Sequence, residues 1–438
     1  DVVITTTTET TTETTTTTTT ETTTVNTADG VEVKDYSSLA TALNTANAKI
    51  YVMNDIDCGD QIKLSKGEQS IIGVPDENGV LPVLNFENMV GKGTDIINAS
   101  SSDGDVGLRI TSKNNVVRNL VIEFAHDNGI QVKGSGVTGN EIKNCILRYN
   151  NDSGMQITGG AYNNAVENIY SYRNCDVYTL GSNADGFAIK LGAGPTTATS
   201  ASEFQNSKNT FVNCYSWENS DDGWDSFDKT TSGYTKDLSY EECACWNNGN
   251  PDIFTGKYDY ENGNALDTNL YLVELISKQD KNFVSNYNKG NFSLPTDSFI
   301  NTSAGKINLS SWTGSNYDGN PNGFKFGSAY TDKNSLRTVK NCLSFGHGRK
   351  GFDNNNSTVK ASFENCVSFD NGYNYYFPTF SVSKASDMLG FNGKSKDKVP
   401  SSVSVTTPTD SAQKSIRSKV EATRKSIVSQ CNNNVIPG

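Results

Sequence analysis

The chain has only two histidines in 438 residues, His126 and His347. A Ser/His/Asp hydrolase or a His-rich zinc site is therefore a poor fit from the outset. Basic residues are also in deficit: 37 Lys and Arg against 49 Asp and Glu give a formal charge of −12 and a pI near 4.8. That balance argues against general nucleic-acid binding, which needs a basic field. It leaves room for a polyanionic ligand met by local cations or a metal. No apolar run approaches the length of a membrane-spanning helix. The nine cysteines are too sparse for a disulfide scaffold in a chain this long. The chain opens at Asp1 without a basic-then-apolar leader, so any signal peptide is expected either to have been removed or to lie outside this sequence.

What is abundant at the start is threonine. Residues 1–27 are almost all Thr with scattered Glu, too poor in apolar surface to offset the entropy of ordering. They read as an extended linker, which makes residues 28–438 one monomeric module of a larger secreted protein. Leu39, Ala42, Leu43 and Ala46 share a helical face over Tyr36–Ala48, with Asp35 or Ser37 as cap. A second helix is expected over Ser411–Gln430, with Ile416, Val420 and Ile427 on one face and Asp410 as its cap. Both terminal segments suit capping or bracing a stack of coils.

The middle of the chain is repetitive. An Asn precedes Leu120, Cys145, Ile169, Cys214, Cys342 and Cys366, and Glu242 precedes Cys243. A Gly precedes an apolar residue at Gly129, Gly154, Gly186, Gly223, Gly323 and Gly351. Nine residues separate Leu120 from Gly129, Cys145 from Gly154, Cys214 from Gly223 and Cys342 from Gly351. Ile169 and Gly186 are 17 apart, and Cys243 and Gly323 are 80 apart, the latter through a long insertion at about 249–320. A unit of about two dozen residues with three short strand-like runs and Asn/Gly corners fits one rung of a parallel β-helix, an all-β solenoid. The cysteines then form an inward column of small hydrophobes, with a disulfide between neighbours as the lesser alternative. The insertion reads equally well as a loop excursion or as a wall or lid beside a groove.

Rungs stack about 4.8 Å apart, so equivalent positions form columns. Aligning the turns on their glycines stacks Asp185 with Asp222 and puts Lys325 one rung above Asp225. Asp221 flanks them on the same turn as Asp222 and Asp225. Asp and Asn populate tight corners in any case, which accounts for Asp127 or Asp152 singly. Three carboxylates within five residues, with a fourth stacked beside them, point instead to a hard cation such as calcium. Lys325 is either a salt-bridge partner or a general base, with Lys190 in reserve, and Arg349 and Lys350 are candidate contacts for an anionic substrate.

Four stretches together resemble polysaccharide lyase family nine: Asn183-Ala-Asp-Gly-Phe-Ala-Ile-Lys-Leu-Gly192, Asn219-Ser-Asp-Asp-Gly-Trp-Asp225, Asn322-Gly-Phe-Lys-Phe-Gly327 and Lys350-Gly-Phe-Asp353. The resemblance spans roughly residues 105–380. It implies a single-stranded right-handed parallel β-helix and a secreted, calcium-dependent pectate lyase acting on plant cell-wall homogalacturonan. It further implies that Asp185, Asp221, Asp222 and Asp225 match the family's calcium ligands and Lys325 its catalytic lysine. The reaction so implied is β-elimination, giving a 4,5-unsaturated uronide and a rate that rises towards alkaline pH. The long insertion departs from the family pattern and leaves groove shape and substrate preference open. Three readings stay beside this one: a lyase for rhamnogalacturonan or another acidic backbone, a β-helix glycoside hydrolase, and a non-catalytic calcium-stapled carbohydrate-binding β-helix.

Overall fold

The computed structural model describes residues 25–89, 105–190, 208–227, 237–255, 272, 275–276, 299–312, 316–328, 335–378 and 381–438. The threonine tract lies almost wholly outside the described residues. Within them the chain winds as a stack of coils. Each coil from Ile62 to Tyr376 sends one strand to a nine-stranded parallel sheet whose spatial order follows the sequence. The remaining coil strands join an 18-stranded parallel sheet, and the antiparallel pair Phe299–Thr302/Gly305–Asn308 belongs to the insertion. This is the expected parallel β-helix.

The recurring Asn residues turn the corners. Asn119, Asn144, Asn168, Asn213, Asn341 and Asn365 all have φ between +50° and +56°, the left-handed conformation that Asn tolerates best among residues with a side chain. Their carboxamides bond up the stack, Asn144 to Asn119 at 3.1 Å, Asn168 to Asn144 at 3.0 Å and Asn365 to Asn341 at 2.9 Å. A second, buried ladder runs Asn150–Asn174–Asn219–Asn248, each Nδ2 donating to the next Oδ1 at 2.8–2.9 Å. His347 takes the next place: Asn248 Nδ2 lies 3.2 Å from its Nε2, and its Nδ1 lies 3.1 Å from Asn371 Oδ1. These ladders satisfy buried backbone corners and lock register between rungs.

Inside the coils, Leu120, Cys145 and Ile169 pair in register, and Cys214, Cys243, Cys342 and Cys366 join the same buried core. All nine cysteines are free and buried, so the packing reading of the column holds. Beside them Phe187, Trp224, Phe324, Phe352 and Tyr375 stack face to face at centroid spacings of 4.0, 5.3, 5.0 and 5.3 Å. The first four of these rings follow the repeat glycines directly, whereas Tyr375, paired with Phe352 on the last rung, follows Asn374.

The first helix, Tyr36–Ala42, buries Leu39 and Ala42 against the first coil. It is shorter than its periodicity predicts, and Asp35 caps it in a reciprocal box with Ser38. The C-terminal helix, Asp410–Asn432, is capped by Thr409 rather than Asp410, because the Thr409 side chain accepts from Ala412 N. It braces the flank of the stack instead of covering an end. Cys431 O receives Arg148 Nη1 at 3.4 Å at one extremity, while Arg417 pairs with Asp370 near the other. The described parts of the insertion pack on the same outer apolar cluster, Trp312 Nε1 donating to Val177 O at 3.2 Å.

Candidate active site

The site is built on the turn Asp221–Asp225, where the chain enters the nine-stranded sheet. Trp224 points inward into the ring stack, so its neighbour Asp225 must point outward. Gly223 is required by close approach: a Cβ there would lie 2.8 Å from Gly323 O and 2.9 Å from Asn248 Nδ2. Across the rungs Asp225 pairs with Ala188 on one side and with Lys325 on the other. A hundred residues of chain between Asp225 and Lys325 thus amount to one step in space.

Carboxylate oxygens of Asp185, Asp222 and Asp225 lie within 4.8 Å of one another, and all three side chains are buried. Asp185 Oδ1 accepts from the Asp222 backbone N–H at 3.1 Å. Asp222 Oδ1 accepts from Asn322 Nδ2 at 2.8 Å, and its Oδ2 accepts from Lys325 Nζ at 2.8 Å. Asp225 Oδ2 lies between two ammoniums, 3.2 Å from Lys325 Nζ and 3.1 Å from Lys190 Nζ. Lys190 also approaches Asp185 Oδ2 at 2.7 Å, off the axis of a directed hydrogen bond. Lys190 is therefore as central as Lys325.

Asp221 is placed differently. Its Oδ2 accepts from Asn183 N at 2.8 Å and its Oδ1 from Asn320 N at 2.6 Å, so both oxygens meet backbone amides from two loops. Tyr317, at the end of the insertion, donates its hydroxyl to Ser220 O. The insertion thus props the Asp221 corner. Arg349 is exposed and donates to Asn320 Oδ1 at 2.9 Å, away from the trio. Lys350 continues the column of Asp222 and Asn322 and pairs with Asp353 Oδ2 at 2.8 Å. Asn322 and the two amide donors carry no sequence signal of their own, apart from Asn322 standing one place before a repeat glycine.

Burial raises the carboxyls of Asp185, Asp222 and Asp221, and the lysines offset only part of it, leaving Asp222 pushed up to about 8. Asp225 is also raised by burial, but Lys325 and Lys190 outweigh that and hold it below its ordinary value. Burial lowers both lysines, and the surrounding carboxylates more than reverse this, so each ends well above a normal amine. Fully ionised, four carboxylates against two ammoniums would leave two negative charges over in a buried place, an excess that burial opposes by favouring the neutral acids. A divalent oxygen-seeking cation matches both the excess charge and the donor set.

A family model described as Pel9A-like, right handed beta helix region, matches residues 18–266, more than half of the chain. The chain belongs to the Pel9A-like right-handed β-helix family. The motif resemblance and the expected fold class agree with this membership. The family match includes Asp185, Lys190, Asp221, Asp222 and Asp225 and ends before Lys325. Among curated relatives, pectate lyase L of Dickeya dadantii (strain 3937) is 27% identical over 218 residues, covering 50% of this chain and 33% of the relative. Pectate lyase L of Paenibacillus polymyxa (strain SC2) is 26% identical over 219 residues, covering 48% of this chain and 41% of the relative. The matched segment thus spans well under half the length of these relatives. The crystal structure of pectate lyase Pel9A superposes with a TM-score of 0.58 at 21% identity, over 91% of this chain and 81% of that one. A rhamnogalacturonan lyase follows with a TM-score of 0.50 at 14% identity, over 83% and 79%. These two similarities speak to the coil architecture that Pel9A-like chains share.

Proposed function

We propose that this Pel9A-like chain is a calcium-dependent pectate lyase that cleaves polygalacturonate by β-elimination, acting outside the cell as a module joined through its threonine tract to other parts of a secreted protein. The observation that carries the reading is the meeting of Asp185, Asp222 and Asp225 with Lys325 on three successive rungs. Membership of the Pel9A-like family and the names of the curated relatives support the substrate class.

Asp185, Asp222 and Asp225 would hold calcium, with Asp221 completing the acidic corner. Bound there, calcium supplies a counter-charge for a uronate carboxylate and makes the proton on the adjacent C5 more acidic. Lys325, as the neutral amine, takes that C5 proton; the C5 electron pair forms the C4–C5 double bond while the C4–O bond breaks, and the departing oxygen gains a proton from solvent. The carboxylates that hold Lys325 protonated are the same groups that would ligate the cation. Neutralising them removes the cause that raises the amine and leaves burial, which lowers it. Lys190 then anchors Asp185 and Asp225 or meets the substrate carboxylate.

The test is ultraviolet absorbance of unsaturated product from polygalacturonate, with and without calcium, for the parent and Lys325→Ala. Saturated product would identify a hydrolase, equal turnover under chelation would remove the metal, full turnover in Lys325→Ala would remove Lys325 as the base, and no product from the parent would leave a binding β-helix. A panel including rhamnogalacturonan separates the two acidic backbones.

A further inference from the structure

Beyond Lys325 the outward-facing column of the nine-stranded sheet continues through Asp353 and Tyr376 to Lys398, one residue per rung. At about 4.8 Å per rung, Lys398 stands roughly 14 Å along the axis from Lys325. Asp353 is already neutralised: Lys350 Nζ sits 2.8 Å from its Oδ2 and Asn355 N donates to its Oδ1 at 2.9 Å. Lys398 is exposed and forms no ion pair among the described residues. Its ammonium lies over two half-buried rings, 5.2 Å from the Tyr376 centroid and 6.0 Å from that of Tyr373. The two rings meet edge to face at 5.0 Å, and Lys350 Nζ lies 4.4 Å from the Tyr376 centroid. In the opposite direction from the site the same column reads Gln156, Gln131, Arg109 and Lys63, with no aromatic residue among them.

We infer that Lys398, held by the Tyr373–Tyr376 corner, is a remote contact for a uronate carboxylate of the same acidic chain that occupies the Asp/Lys site. The inference rests on the lyase reading for the identity of that chain. A lysine on an exposed face normally loses much side-chain entropy when it binds. Here two aromatic faces restrict the ammonium beforehand, so less is lost on meeting a carboxylate. Its place in the register puts it in line with Lys325 along the axis, the direction in which an extended polysaccharide would lie across the strands. The net charge of −12 gives the polymer no general attraction, so cations placed along its path, Lys398 among them, do the orienting.

The experiment measures affinity of the full chain, with calcium and in the Lys325→Ala background so that polymer is not consumed, for polygalacturonate and for uncharged galactan. Lys398→Ala is expected to weaken polygalacturonate binding about tenfold, the size of one charge-assisted hydrogen bond, and to leave galactan binding unchanged. Lys398→Arg is expected to keep the affinity, which separates loss of the cation from misfolding. Tyr376→Phe, which keeps the ring, should retain affinity that Tyr376→Leu loses. A loss below about threefold in Lys398→Ala, or an equal loss for galactan, overturns the inference. Absorbance of unsaturated product by the chain with Lys325 restored reports separately on the lyase reading, so the two failures are distinguishable.

Discussion

Replacing His347 by Asn should make the protein less sensitive to mild acid, by an amount that follows from one hydrogen-bond pattern. In the buried ladder each carboxamide accepts from the rung before and donates to the rung after. His347 does both only as the neutral ring with its proton on Nδ1, because Nε2 must accept from Asn248 Nδ2 while Nδ1 donates to Asn371 Oδ1. Burial pushes the ring down from its ordinary 6.5 to about 3, and the bond to Asn371 offsets only part of that. Above pH 6.5 neither the folded nor the unfolded chain carries the proton, so the group adds no pH dependence. Between 6.5 and about 3 the unfolded chain binds a proton that the folded one refuses, and stability falls as pH falls. The slope is about 1.4 kcal/mol per pH unit, so roughly 2 kcal/mol has gone near pH 5. His347→Asn keeps an acceptor and a donor in the ladder and carries no titrating group. Urea unfolding of parent and variant at neutral pH and near pH 5, at saturating calcium, gives the difference with all other titrations cancelled. The stability gap should shift in the variant's favour by that amount on acidification. An unchanged gap, or an imidazole NMR signal titrating near its ordinary pH, would refute the ladder assignment.

Other outcomes follow from the site. Lys325→Ala should lower kcat by about a hundredfold to ten-thousandfold with folding intact, whereas Lys190→Ala should chiefly raise KM; steady-state rates on polygalacturonate check both. With calcium bound, kcat should climb towards alkaline pH as the neutral fraction of Lys325 grows, and a flat profile would exclude the amine as base. Asn322→Ala removes the donor to Asp222 Oδ1 and should weaken calcium binding by about ten- to a hundredfold, read by calorimetric titration. Gly223→Ala forces a methyl against Gly323 O and should cost about 1–3 kcal/mol in unfolding measurements, with calcium affinity falling in step.

Much of this was legible because a solenoid translates counting into position. Aligning the turns on the glycine that precedes an apolar residue predicts that Lys325 stands next to Asp225 and Asp222 next to Asp185, and their pairing in register is what the coils produce. Side-chain direction is less legible. Asp221 sits among the same carboxylates in sequence, yet amides from Asn183 and Asn320 take both its oxygens, and those loops have no repeat to align. The central position of Lys190 was blurred for a similar reason, since it lies beyond the repeat glycine at a position only some coils share. The C-terminal helix shows a third limit: its apolar face was evident, but whether it covers an end or a flank depends on the outward rings of Trp217, Trp246 and Phe369.

The insertion that separates Asp225 from Lys325 leaves and rejoins the coil path without altering the next rung's register. What lies beside the proposed lysine and carboxylates can therefore change with that excursion while the backbone ladder keeps Asp225 next to Lys325; only the Asp221 corner, held by Asn320 and propped by Tyr317, is tied to the excursion's last residues. For a designer, that corner is a socket.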